Sequence, residues 1–274
     1  STVSGYYDHN FLVINQKRTD HQVRIENIVS RERNWRIRAR QVILATGAIE
    51  RGLVFADNDR PGVMLSSAAR TYINRYAVRP GRTGLVFTNN DSAYQTAFDM
   101  HGAGMEVVGV IDTRQKISEE RLSQMEALDI PVYLGHGIGG TRSNRQGLKA
   151  VEVTRLSSDG QDVLTHKGLL DCQVLAMSGG WSPVIHLHCQ SGGRPKYDNN
   201  QACFVPGESV QCERSAGSAR GIFRLDNCLK DGIDAGVNAV RQMGYAPVNI
   251  DVPYVSGNPS SAIEPVSYTH LTLP

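Results

Sequence analysis

Three observations predict an α/β fold for this chain of 274 residues. From Thr83 to Arg114 the sequence reads as strand, tight turn, helix and strand within about thirty residues, which is the spacing of a βαβ unit. Two apolar runs end in glycine turns: VILATG (Val42 to Gly47) and VLAMSGG (Val174 to Gly180). Those runs bracket the βαβ unit, so one dinucleotide-binding domain is expected to be inserted into another. The predicted fold is a FAD/NAD(P)-binding, Rossmann-like flavoprotein module of two such domains, truncated at its N-terminal side.

The elements follow in order. TVSGYYDHNFLVINQ is rich in aromatic and β-branched residues, and VRIENIV (Val23 to Val29) alternates. WRIRARQVILATGA alternates and then turns continuously apolar, so 1–47 reads as β-rich, with Val42 to Ala48 a buried strand ending in Thr46-Gly47. Leu65, Ala68, Ala69, Tyr72, Ile73 and Tyr76 recur at helical spacing, and Arg79-Pro80-Gly81 ends that helix. TGLVFTNN is a strand, DSAYQTAFDMHGAG a helix capped by Asp91 or Ser92, and MEVVGVIDTR a strand ending at Asp112. Ser118 caps a second helix running to Ile130. IPVYLGH, LKAVEVTRL, QDVLTHK and CQVLAMSGG then form a small meander returning to the sheet. In the closing helix, LKDGIDAGVNAVRQMG, Gly232, Ala235, Gly236 and Ala239 permit close approach of a sheet or a ligand.

The expected domain division is 1–80 for the later part of the first domain, 81–170 for the inserted one, and 171–252 for the return, with 253–265 a linker. No GxGxxG precedes Val42, so the opening strand and turn of the first domain are expected upstream of Ser1. The last nine residues, VSYTHLTLP (266–274), continue no earlier pattern and read as a sequencing-adapter artefact; a genuine short tail is the alternative.

Composition excludes several classes. Lys+Arg number 29 and Asp+Glu 27, a net charge of +2, which gives no basic face for nucleic acid or an anionic membrane. No apolar run is long enough to span a bilayer. Cys172, Cys189, Cys203, Cys212 and Cys228 contain no CxxC pair, which fits a reducing cytoplasm and disfavours a disulfide reductase. His186, His188 and Cys189 lack the further ligands a metal needs, so no metal is expected. No nucleophile elbow or paired carboxylate emerges, and no catalytic residue is assigned.

The candidate cofactor-binding residues lie at strand ends. Thr46 and Gly47 stand at the carboxyl edge of a parallel sheet, where such folds bind ligands; a plain turn is the alternative. In Thr88-Asn89-Asn90-Asp91-Ser92-Ala93, Thr88 and Asn90 occupy the first two glycine positions of a GxGxxA turn and Ala93 the third. Asn tolerates the turn, yet its side chain fills space where phosphate would approach, so nucleotide contact by Asn89, Asn90 and Asp91 stands beside a vestigial turn. Asp112, 22 residues beyond Asn90, is placed to accept from a ribose diol and favour NAD over NADP; a solvated turn carboxylate is the alternative. Gly179 and Gly180 permit close backbone approach or simply turn the chain. Glu50, Arg51, Asp59 and Arg60 cluster in the loop after the ATG strand, as a salt-bridged loop or a dinucleotide contact.

Three stretches carry a resemblance: QVILATGAIERGLVFADNDRPGVML (Gln41 to Leu65), GLVFTNNDSAYQTAFDM (Gly84 to Met100) and LAMSGGWSPVIHLHCQSGGRPKYD (Leu175 to Asp198). Together the chain, from Thr2 to Val252, resembles the α subunit of heterotetrameric sarcosine oxidase, an oxidoreductase acting on CH–NH donors. The resemblance implies oxidation of sarcosine to glycine, with hydrogen peroxide and formaldehyde, or methylenetetrahydrofolate. It implies tightly bound, non-redox NAD on this subunit, with FAD on the β subunit and FMN near the α–β interface of the whole complex. It also implies a flavin-bearing β subunit and small γ and δ subunits as partners, and tetrahydrofolate held by a C-terminal domain outside this sequence. Two alternatives stay open: the α subunit of a related opine or proline dehydrogenase, and a non-catalytic scaffold with degenerate nucleotide sites.

Overall fold

The computed structural model describes residues 1–21, 30–160, 162–248 and 250–255. The alternating run Val23 to Val29, the end of the expected linker and the final nonamer lie outside them. The chain forms two compact units: Glu50–Trp181 with Asn199–Ala202, and, among the described residues, 1–49 with 182–198 and 203–255.

The Glu50–Trp181 unit is built on five parallel strands, in spatial order Val63–Leu65, Val174–Ser178, Thr83–Thr88, Glu106–Asp112 and Val132–Leu134. Strand alternation sends Leu85, Phe87, Ile111 and Leu175 to one face, and Val86, Val110, Val174 and Ala176 to the other. Leu85, Val86 and Phe87 are each 0% exposed, because a parallel sheet is covered on both faces. Each such side chain contributes about 1.5–3 kcal/mol of burial. One face packs Tyr94, Ala97 and Met100 of helix Tyr94–Gly102, Met125 of helix Glu119–Glu126 and Ala69 of helix Ser66–Tyr76. The other packs Ile138, Val151, Val153 and Leu156 from an antiparallel sheet of His136–Asn144, Gly147–Leu156 and Val163–Asp171.

The βαβ core of this unit matches the sequence reading, and Ser118 caps its helix by accepting from the Arg121 amide. Three details differ. Helix Ser66–Tyr76 buries Ala69, yet Tyr72 and Tyr76 of its expected apolar stripe are exposed. The expected cap at Asp91 or Ser92 is instead Asn90, whose side chain accepts from the Ser92 amide ahead of a 3₁₀ turn, Asp91–Ala93. Strand His136–Asn144 takes in far more than the HGIGG glycines suggest, since it is held by its neighbour Gly147–Leu156 and not by side-chain propensity.

In the other unit, Thr2–Tyr7, Phe11–Lys17 and Glu32–Arg38 form an antiparallel sheet. Its first turn places His9 and Asn10 at φ 60° and 51°, the left-handed pair a tight hairpin requires. Asn10 is buried there because its Nδ2 donates to the Arg40 and Cys212 carbonyls. Tyr6, Leu12 and Leu44 make the core. Among the described residues Val42–Leu44 pairs in parallel with Glu213–Ser215 as a two-stranded sheet. Ile43 is exposed and the strand stops at Leu44, so the run Val42 to Ala48 is not a continuously buried strand. Helix Leu225–Gln242 follows; a Cβ on Gly232 or Gly236 would meet nothing within 4 Å, so among the described residues no sheet packs closely on either glycine. No described helix is long and apolar enough to cross a membrane.

Candidate dinucleotide sites

Each unit brings one set of candidate residues to the carboxyl ends of parallel strands. In the unit holding the N-terminus, Thr46 and Gly47 follow strand Val42–Leu44. Thr46 Oγ1 donates to the Val184 carbonyl at 2.6 Å, and the Val184 amide donates to Gly47 O at 2.9 Å. Gly47 has φ +79°, and a Cβ there would meet nothing within 4 Å. The turn is therefore both glycine-dependent and open, and its backbone fits a close ligand contact.

Alongside the same strand lies a cleft of about 390 Å³ lined by Gln41, Ile43, Ser215, Arg220, Asn238 and Gln242, among others. Its charge is organised by Asp231, which accepts from Arg220 Nη1 at 2.6 Å, Arg214 Nη2 at 2.9 Å and the Gly217 amide at 2.9 Å. Burial works against the Asp231 carboxylate, but these donors outweigh it and hold its pKa below the usual range. His188 and Glu213 meet nearby at 2.7 Å, Nδ1 to Oε1, both buried. Among the described residues no group of three His, Cys, Asp or Glu side chains could hold a metal.

The Glu50–Trp181 unit presents its set at the ends of strands Val174–Ser178, Thr83–Thr88 and Glu106–Asp112. Here the candidates do meet, but on one another. Asn90 is 0% exposed, and its Nδ2 donates to Ser178 O at 3.2 Å, Ser178 Oγ at 3.1 Å and Asn89 Oδ1 at 3.1 Å. Its Oδ1 accepts from the Ser92 amide at 3.2 Å and Ser92 Oγ at 2.6 Å. Trp181 Nε1 donates to Ser92 Oγ at 3.1 Å, extending the chain.

Asp112 is not a solvated turn carboxylate: it is 0% exposed. It accepts from the Arg114 amide at 2.9 Å, Arg114 Nε at 3.0 Å, Arg114 Nη2 at 2.8 Å and the Tyr94 hydroxyl at 2.8 Å. Arg114 Nη1 also reaches Asp91 Oδ1 at 2.8 Å. Burial and the Asp112 charge push the Tyr94 phenol far above its ordinary range; the two carboxylates raise Arg114 against its own burial. Gly179 and Gly180 are pressed on the chain itself. The Gly179 amide donates to Arg51 O at 2.7 Å and the Arg51 amide to Gly180 O at 2.9 Å, while a Cβ on Gly179 would stand 2.8 Å from Gly52 O.

Among the described residues no ion pair joins Glu50, Arg51, Asp59 and Arg60 to one another, although Arg60 is salt-bridged within the same loop. Glu50 accepts from the Ser67 amide at the start of its helix, Arg51 donates to the Gln201 and Ala202 carbonyls, and Arg60 pairs with Asp57. Tyr94, Ser178 and Trp181 escaped the sequence reading, and Ser92 was read there only as a cap and a turn residue. Only the Asp-Thr-Arg spacing at 112–114 gave a local signal, since an arginine two residues on can turn back on its neighbour.

No protein-family model matches the sequence. The sarcosine oxidase subunit alpha of Corynebacterium sp. (strain P-1) is 40% identical over 268 residues, 97% of this chain and 27% of that protein. The chain is similar to about a quarter of a sarcosine oxidase alpha subunit. The subunit of the same name from Rhizobium meliloti (strain 1021) is 35% identical over 244 residues, 89% of this chain and 23% of its own length. Among solved structures, Lactococcus lactis thioredoxin reductase matches with a TM-score of 0.60 at 15% identity, covering 89% of this chain and 74% of that one. L-Proline dehydrogenase from P. horikoshii matches with a TM-score of 0.56 at 18% identity, over 93% of this chain and 46% of that one. The fold is therefore that of the FAD/NAD-type oxidoreductases, as the sequence predicted, and the resemblance to sarcosine oxidase alpha subunits extends along the chain.

Proposed function

We propose that this chain is the dinucleotide-carrying segment of the alpha subunit of a cytoplasmic sarcosine oxidase complex. The observation that carries the reading is 40% identity sustained along 97% of the chain, since a shared fold alone would not keep so many side chains. The complex oxidises the N-methyl group of sarcosine, releasing glycine with hydrogen peroxide and formaldehyde, or methylenetetrahydrofolate. NAD is held tightly by this segment without turning over. FAD and FMN supply the redox chemistry, with the flavin-bearing β subunit, the γ and δ subunits and a folate-binding domain as partners.

The part played by these residues is binding and positioning. Thr46 and Gly47 offer backbone groups at an open strand end, and hydrogen bonds to Val184 hold the turn in place. Close approach of a dinucleotide there needs the absence of a Cβ at Gly47, which is what φ +79° and the open space provide.

The test uses the full-length alpha subunit co-expressed with its partners. Oxygen uptake and peroxide formation on sarcosine are expected, with NAD released from the purified complex on denaturation and not reduced during turnover. Dye reduction with another amino acid, and little peroxide, would overturn the assignment of substrate.

A further inference from the structure

The crevice of the Glu50–Trp181 unit lies where a second dinucleotide would sit: at the carboxyl ends of Val174–Ser178 and Thr83–Thr88, facing the start of the following helix. We infer that this crevice takes no dinucleotide, because the unit fills it with its own side chains. The inference rests on the reading that the complex binds NAD, and it assigns that NAD away from Asn89, Asn90, Asp91 and Asp112.

The fit fails at the phosphate turn and at the ribose carboxylate. Pyrophosphate binding needs free amides at the helix start and no side chain in front of them. The Asn90 amide donates to Thr88 Oγ1 at 3.0 Å, and the Ser92 amide donates to Asn90 Oδ1. Asn90 therefore stands where the second glycine of a phosphate turn would leave space, and its amide group supplies the acceptor that phosphate would supply. Ribose recognition needs a carboxylate with free lone pairs. Asp112 spends both oxygens on Arg114 and Tyr94 and has no surface, whereas a ribose-binding carboxylate must face its ligand.

Charge points the same way. Asp91, Arg114 and Asp112 put two carboxylates and one guanidinium in a space where all three side chains are at most 8% exposed. The one cation is fully engaged between them, leaving a net negative site that would repel a diphosphate. Nor can glycine flexibility reopen the crevice from the Ser178 side: Gly179 is packed on Gly52 and Arg51, and Ser178 is the acceptor for Asn90. The network is closed from Trp181 through Ser92 and Asn90 to Ser178.

The test counts dinucleotide in the purified full-length complex and follows hydrogen exchange on adding NAD. Asn90→Leu keeps the crevice filled but cannot bind phosphate, and Asp112→Asn removes the charge. Trp181→Phe and Ser92→Ala are milder variants that remove single hydrogen bonds should the first pair fail to fold. In every variant that folds, NAD per alpha chain is expected to stay within about a fifth of wild type. Amides of 88–114 are expected to exchange at the same rate with and without added NAD. Loss of most of the NAD in a variant that melts like wild type would overturn the inference, as would protection of 88–114 by added NAD. A wild-type complex that retains no NAD refutes the reading of the complex instead, and the exchange measurement still decides the crevice.

Discussion

Arg114 and Asp112, two residues apart, are joined through three donors inside a site where Asp112 has no solvent exposure: the backbone amide, Nε and Nη2 of Arg114 all reach its carboxylate. The guanidinium then extends to Asp91, so one cation serves two buried anions. This asymmetry decides what substitutions there will do.

Arg114→Met strands two buried carboxylates, and breaking a buried pair by removing one partner costs about 3–5 kcal/mol. Asp112→Leu combined with Arg114→Met removes both groups and is expected to restore part of that loss, although Asp91 and Tyr94 then lack their partners. Urea denaturation of wild type, the single variant and the double variant measures this. A double variant no more stable than the single one would contradict it.

How much of this was legible follows from what is local. The βαβ unit was readable because Thr83–Thr88 and Glu106–Asp112 are short apolar runs around a capped helix, and such patterns depend only on neighbours. The position of Asp112 at a strand end was equally readable. Its burial was not, because that depends on Tyr94 of the packed helix and on Arg114 folding back. Asn90 was legible as a departure from glycine but not as a bridge to Ser178, 88 residues away. Ile43 looked like a core residue because its neighbours are apolar, while its exposure is set by what covers its face of the sheet, which no local pattern encodes. Periodicity likewise put Tyr72 and Tyr76 on the buried stripe of their helix. The core takes in Ala69 and packs against Ile73 of that stripe, and leaves the two tyrosines exposed.

Two glycines at strand ends should respond differently to alanine. Gly47→Ala meets no atom but must hold φ +79°, a strain of about 1–2 kcal/mol for a residue with a Cβ. Gly179→Ala has no such backbone strain but drives its Cβ to 2.8 Å from Gly52 O and 3.3 Å from Arg51 O, both main-chain atoms. The larger loss is expected at Gly179, with backbone displacement near Arg51. Thermal melts of the two variants rank them, and an equal or smaller loss at Gly179 would contradict the packing argument.

Thiol reactivity should separate the cysteines. Burial, and after it the charge of Asp171, pushes the Cys172 thiol up to about 12, so almost no thiolate exists at pH 8. Cys203 is also buried, whereas Cys189 and Cys212 are exposed. Brief alkylation of the folded protein followed by peptide mass analysis is expected to label Cys189 and Cys212 first and leave Cys172 unmodified until denaturant is added. Early labelling of Cys172 would mean that the link between strands Val163–Asp171 and Val174–Ser178 opens in the native state.

Asp99 ties helix Tyr94–Gly102 to helix Ser66–Tyr76 by accepting from Arg70 Nε at 2.7 Å and Asn74 Nδ2 at 2.7 Å, with Gln95 Nε2 at 3.0 Å on its own helix. Burial alone would raise its pKa, but the three hydrogen bonds and the Arg70 charge outweigh it and lower the value from 3.8. A carboxylate depressed in the folded state stabilises the fold fully above its unfolded pKa, and that contribution is lost as pH falls through the folded value. Asp99→Asn should therefore melt below wild type at pH 6, and the gap should narrow once pH drops below about 4, where the carboxylate of the unfolded chain takes up a proton before the folded one does. Melting temperatures of both proteins from pH 6 down to pH 2 test the sign as well as the size. A gap that stayed constant through acid would show that Asp99 acts by shape alone and that its ionisation adds nothing to the joint between the two helices.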